Sequence, residues 1–186
     1  MSQMLFSHDT ELTLRASCAL VNSDRVDGDQ LAGQPALDAY LNSYGWTGRR
    51  DRDDAEVDAV HRLRGRLGRI WAAADEEEAV AQINALLSDT RASPWLTRHP
   101  EMPEWHLHLA SIHDPLAQRM GAEMAMSMAD LVRAGELRRL KVCAAPDCDA
   151  VLIDLSRNRS RMLCDTGNCG NRQHVAAYRE RRSKEA

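Results

Sequence analysis

Residues 143–169 read CAAPDCDAVLIDLSRNRSRMLCDTGNC, and the four cysteines in this stretch decide how the chain is organised. Cys143 and Cys148 form one pair and Cys164 and Cys169 a second, with four residues inside each pair and fifteen between the pairs. Two close pairs joined by enough chain for a hairpin can bring four sulfurs around one ion, and zinc favours that closed, all-thiolate tetrahedron. Ala145-Pro146-Asp147 supplies a turn inside the first pair, and Asp165-Thr166-Gly167-Asn168 supplies one inside the second. Val151-Leu152-Ile153 and Arg161-Met162-Leu163 read as short strands on either side of a loop from Asp154 to Ser160. One Zn2+ is the expected cofactor; a four-sulfur iron cluster and four unmetallated thiols are the alternatives. Four protein ligands leave no open coordination position, so the metal is expected to be structural rather than hydrolytic.

The chain upstream reads as mainly helical. Apolar residues recur at helical spacing from Glu11 to Val21. Pro35 opens a short helix that Gly45 follows, the usual placement of those two residues. A longer helix starts at Asp53 or Asp54 and carries Val60, Leu63, Leu67, Ile70 and Trp71 on one face. Asp75 with Glu78 resembles a capping box for a helix running to Leu87. Trp105-His106-Leu107-His108-Leu109 alternates as a strand does, with Trp105, Leu107 and Leu109 expected inward and both histidines outward. A His-x-His pair can ligate metal, but no third ligand is evident, and a solvent-facing pair is the plainer reading. Asp114-Pro115 opens a helix to Arg133 whose stripe includes Met120, Met124 and Met128. Methionine fills cores and also lines adaptable pockets. Trp105, Met120, Met124 and Met128 are therefore candidate walls of a small-effector pocket, beside the simpler reading of the stripe as core.

The fold class expected is mainly α with a small β component: a helical α+β domain at 1–137 and a zinc finger at 138–186, built as a β-hairpin plus helix in treble-clef style. The chain of 186 residues carries a formal charge of −4. That charge is uneven, because residues 138–186 hold 11 Lys and Arg against 6 Asp and Glu. A basic tail beside an acidic body is a nucleic-acid signal of modest strength. No apolar run is long enough to cross a membrane, and the first residues lack the pattern of a secretory signal, so a cytoplasmic location is expected. Five cysteines in a reducing compartment point to metal rather than disulfides. Cys18 stands apart on the first helix and reads as a small buried side chain. No nucleophile elbow, phosphate loop or dinucleotide fingerprint occurs, so enzymatic activity is not expected.

Cys169-Gly170-Asn171-Arg172 resembles the signature of the CGNR zinc-finger family. The likeness extends back through Asp154-Leu155-Ser156-Arg157-Asn158-Arg159-Ser160-Arg161 and forward through Tyr178-Arg179-Glu180-Arg181-Arg182. It departs at Met162-Leu163, where many members carry an aromatic. By order and length, the preceding residues resemble the ABATE domain often paired with this finger. The resemblance implies a bacterial, stress-related transcription regulator whose finger contacts double-stranded DNA and whose front domain senses a small effector. On a helix from Asn171 to Arg182, Arg172 and Arg179 share one stripe, with Arg182 close by, while Val175 and Tyr178 are expected to pack on the hairpin. Arg157, Arg159 and Arg161 alternate along the loop and are expected on phosphates. A homodimer is expected where a single module binds too weakly. The alternative function is a zinc-dependent protein-interaction module.

Overall fold

The computed structural model describes residues 6–25, 28–99 and 102–184. Six α-helices and three two-stranded antiparallel ribbons follow in chain order among these residues. The first helix, α1 (His8–Asn22), leads into the ribbon β1 (Asp24–Arg25) and β2 (Gly28–Asp29). Three helices follow: α2 (Gln34–Ser43), α3 (Asp54–Trp71) and α4 (Glu76–Asp89). A ribbon of β3 (Trp95–His99) and β4 (Met102–His108) precedes α5 (Leu116–Arg133). A 3-10 turn at Leu137–Arg139 leads to β5 (Leu140–Val142), β6 (Val151–Ile153) and the last helix, α6 (Cys169–Lys184).

The helix starts are fixed by local chemistry. The Asp53 carboxylate accepts from the Glu56 N–H at 2.8 Å, and Asp75 accepts from the Glu78 N–H at 2.8 Å. Glu78 answers by accepting from the Ala74 N–H at 2.8 Å, so both sides of this cap are filled. Asp114 does something else: it accepts from the Ser111 N–H at 2.9 Å, and Pro115 occupies the cap position of α5.

Helices α1, α3, α4 and α5 bury one shared core, with Leu14, Leu20, Leu67, Leu86, Met120, Met124 and Met128 among its fully buried side chains. Gly121 lets α5 approach closely, since a Cβ there would stand 2.8 Å from the Thr90 methyl and 3.3 Å from Leu63. The methionine stripe is thus core, and each of its three members is fully buried.

Two local expectations are corrected. The strand facing is reversed: Trp105 is 64% exposed, whereas His106 is 8% exposed. Alternation shows which residues share a face but not which face is covered. In this two-stranded ribbon Trp105 lies under the Arg98 guanidinium, 4.9 Å from the ring centre, while the His108 ring meets Trp95 at 5.8 Å. Leu109 is buried as expected, but beyond the end of β4. The second correction concerns the finger's hairpin. Residues 151–153 pair with 140–142, Leu140 opposite Ile153 and Val142 opposite Val151, and residues 161–163 form no strand. The Met162 carbonyl accepts from the Ala144 N–H at 2.8 Å, and its sulfur lies 4.0 Å from Lys141 Nζ.

The finger does not stand apart from the helices. Val151 and Ile153 belong to the main core, and the Trp71 indole N–H donates to the Leu152 carbonyl at 3.2 Å. Cys18 is half-buried against the same strand, rather than fully buried, and its thiol donates to the Val151 carbonyl at 3.3 Å; desolvation pushes that thiol up to about 11.

Candidate metal centre and its basic surround

The ribbon β5–β6 carries Cys143 at its end and returns Cys148 through the Pro146 turn, and Cys169 opens α6. One ligand atom from each of Cys143, Cys148, Cys164 and Cys169 lies within 4.8 Å of all the others. The Cys148 and Cys164 sulfurs are 3.6 Å apart, as are those of Cys164 and Cys169. A tetrahedron with Zn–S bonds of about 2.3 Å requires sulfur separations of about 3.8 Å, so the donor set fits zinc. Gly167 makes room for it, because a Cβ there would lie 3.0 Å from the Cys169 sulfur.

The donors need a cation to coexist as thiolates. Burial, reinforced by the neighbouring sulfurs, pushes the Cys164 thiol up to about 12. A dication at the centre removes that penalty, and the protein offsets the two remaining negative charges with N–H donors. The Cys164 N–H points at the Cys143 sulfur at 3.4 Å, and the Gly167 N–H at the Cys164 sulfur at 3.4 Å. Arg172 donates to the Cys169 sulfur at 3.2 Å. Arg25, from β1, reaches the Cys148 sulfur at 3.6 Å and Asp149 at 3.3 Å. The one bound zinc is therefore structural, with a surrounding shell drawn partly from the front of the chain.

Asp154 organises the loop that follows β6. Its fully buried carboxylate accepts from Lys141 Nζ at 2.7 Å, from the Ser156 N–H and hydroxyl at 3.0 and 2.6 Å, and from the Arg161 N–H at 2.9 Å. Burial opposes its charge, but these donors outweigh burial and hold the carboxyl down at about 2. Lys141 also donates to the Arg159 and Arg161 carbonyls at 2.7 and 2.9 Å. The buried Arg139 side chain adds bonds to the Asp154 and Ser156 carbonyls at 2.7 and 2.8 Å. Sequence reading missed Lys141 and Arg139, whose basic character suggests surface charge until their buried acceptors are seen.

The six arginines expected at nucleic acid divide into two groups. Arg159 faces Glu136 at 3.3 Å, Arg161 pairs with Asp165, and Arg172 forms a two-pronged pair with Asp147 at 2.9 and 3.2 Å. Arg157, Arg179 and Arg182 are exposed and have no ionic partner among the described residues. Arg172 and Arg179 do share one face of α6, flanking a shallow groove with Asn168, Asn171 and Val175. Val175 and Tyr178 do not pack on the hairpin; they are 48% and 55% exposed, because α6 leaves the zinc cluster rather than folding back over it.

A separate cavity of about 870 Å³ lies between α1, α5 and the β3–β4 ribbon. Trp105 lines it, but Met120, Met124 and Met128 do not, since they point into the core on the other side of α5. Glu123, Met126, Ser127 and Asp130 supply the α5 wall instead. His106 and His108 also line it, their Nε2 atoms 3.1 Å apart. Among the described residues the four cysteines are the one group of three or more potential ligands that converges closely enough for a metal.

Comparison with known families finds two matches along the chain. Residues 139–182 match the CGNR zinc finger, and residues 14–135 match ABATE, a family described as "Putative stress-induced transcription regulator". No curated protein matches the chain. With its four-sulfur zinc centre following the matched helical region, the chain belongs to the ABATE family and ends in a CGNR zinc finger.

Proposed function

We propose that this protein is a cytoplasmic, non-enzymatic transcription regulator that binds double-stranded DNA through the outer face of α6 and senses a small molecule through the region at 1–137. The observation that carries the DNA reading is the division of the arginines. After Arg159, Arg161 and Arg172 are committed to Glu136, Asp165 and Asp147, Arg179 and Arg182 remain exposed on α6, and Arg157 remains exposed on the loop. Exposed arginines on a rigid helix anchored by zinc suit phosphate contact and can donate in pairs to guanine. Arg172 serves here to hold α6 against Asp147 and the Cys169 sulfur, and Arg179 is the groove contact. Arg157 adds a phosphate contact, which positions without reading sequence. A homodimer would supply the second half-site that one module lacks.

The test is fluorescence anisotropy of zinc-loaded protein with labelled duplex DNA across a salt series. Affinity should fall steeply with salt as counterions are released. Flat salt dependence, or no binding at low salt, would reject the reading. Exposed Val175 and Tyr178 favour one second reading, in which α6 is a contact helix for another protein. That reading takes precedence if DNA fails to bind while the zinc remains.

A further inference from the structure

The cavity between α1, α5 and the β3–β4 ribbon has a distinct chemical character. Its body is apolar and aromatic: Leu12, Tyr44, Trp46, Trp105, Leu107 and Ile112 all contribute. Its volume of about 870 Å³ is that of a site for a drug-sized molecule. Its charged groups are mostly acidic, with Asp9 from α1 and Glu123 and Asp130 from α5. Asp130 is answered by Arg133 at 3.2 Å. Glu123 accepts the Leu109 N–H at 3.0 Å through one oxygen, and its second oxygen has no partner among the described residues.

The Arg119 guanidinium at the cavity does not pair with this carboxylate. Arg119 donates to the carbonyls of Asp114 at 3.0 Å, Thr47, and Arg49 at 2.7 Å, so its fork is turned to backbone. His106 and His108 face each other through Nε2 at 3.1 Å. Burial pushes the Glu123 carboxyl up to about 7, and the Leu109 N–H and the His106 ring only partly oppose that rise. The Trp46 indole N–H, which also lines the cavity, is buried with no acceptor among the described residues. A carboxylate lining an aromatic-walled cavity matches a molecule with a positive head and an apolar body.

We propose that this cavity binds a small hydrophobic organic cation, an amine whose ammonium group sits on Glu123 and whose apolar body lies among Trp46, Trp105 and Leu107. The proposal gives a chemical class to the sensing role set out above and, as an effector site, rests on it. The ammonium replaces the missing partner of the carboxylate, and the rings of Trp46 and Trp105 bury the carbon skeleton.

The test uses zinc-loaded full-length protein and three probes of one shape: 4-phenylbutylamine, 4-phenylbutanol and 4-phenylbutyrate. Binding is read by titration calorimetry and by tryptophan fluorescence. The amine should bind at least about tenfold more tightly than the alcohol, and the carboxylate more weakly than either. Glu123→Gln should remove the amine's advantage while leaving the alcohol unchanged, and Glu123→Asp, with melting curves for both variants, should retain most of it. Equal binding of amine and carboxylate, or an amine preference that survives Glu123→Gln, would overturn the proposal. Failure of all three probes to bind would overturn it too. DNA affinity is measured in parallel with saturating amine. If the amine binds by this pattern and DNA affinity does not move, the cavity assignment stands and the sensing reading falls.

Discussion

The Asn22 side chain takes the place of a neighbouring strand for Val151. Its amide nitrogen donates to the Val151 carbonyl at 2.8 Å, and its amide oxygen accepts the Val151 N–H at 2.9 Å. Both groups are buried, and they join the last turn of α1 to β6, the second strand of the finger's ribbon. The zinc region and the helical core therefore share hydrogen bonds as well as apolar contact.

Replacing Asn22 with Leu should cost about 1–3 kcal/mol, because the Val151 N–H loses its buried acceptor and the Val151 carbonyl keeps only the weak Cys18 thiol donor. Chemical denaturation checks this. The melt should also show reduced amide protection at Val151–Ile153 before global unfolding.

Zinc removal should unfold residues 141–182 and also weaken the front of the chain. Metal binding is folding free energy in such a module. Val151, Ile153 and the acceptor of the Trp71 N–H all leave the core when β6 is lost. Cys164→Ser should reproduce the effect, with helices 54–71 and 116–133 retained but melting at lower temperature. Hydrogen exchange with and without a chelator distinguishes this from a finger that unfolds alone. The loaded protein should hold one zinc per chain by elemental analysis.

Asp154→Asn should destabilise the loop at 154–161 by about 2–4 kcal/mol, since the half-buried Lys141 loses its counter-charge and the fully buried acceptor of four donors loses its charge. The sign with pH follows from the depressed carboxyl. The stabilisation is present above its ordinary value of 3.8 and is lost as pH falls towards about 2. The wild-type protein and the variant should therefore converge in stability at acid pH.

Glu123 should behave in the opposite direction. Its carboxyl rises from 4.5 to about 7, so its contribution is fully present below pH 4.5 and is lost as pH rises through 7. Without ligand, Glu123→Gln should gain stability relative to wild type between those values, by up to about 3 kcal/mol at pH 8. Paired melting curves from pH 4.5 to 8 read the difference directly. A constant offset across that range would contradict the assignment.

Much of this architecture is legible in the sequence where a local rule acts alone. Asp53 and Asp75 mark helix starts because capping needs only three neighbouring residues. The four zinc ligands are legible because two short spacings confine their sulfurs. What the sequence hides are choices between equivalent partners. Trp105 and His106 alternate either way, and only the ribbon's placement over α1 and α5 decides that His106 is inward. Met120 and Met126 lie on one helix, yet one fills the core and the other faces the cavity. Arg172 looks as available as Arg179 until Asp147 is found across the Pro146 turn. Residues 140–142 carry no strong strand pattern, so the true partner of 151–153 could not be read from alternation.

The central claim is that zinc-anchored α6 binds DNA through its unpaired arginines. The most direct measurement is the salt dependence of duplex binding for the wild-type protein, Arg179→Ala and Arg172→Ala, each with its zinc content verified. Arg179→Ala should weaken binding and lower the log–log salt slope by about 1, the loss of one phosphate contact. Arg172→Ala should instead loosen the finger, seen as weaker zinc retention with an unchanged slope. Unchanged affinity and slope in Arg179→Ala, with zinc fully bound, would contradict the account.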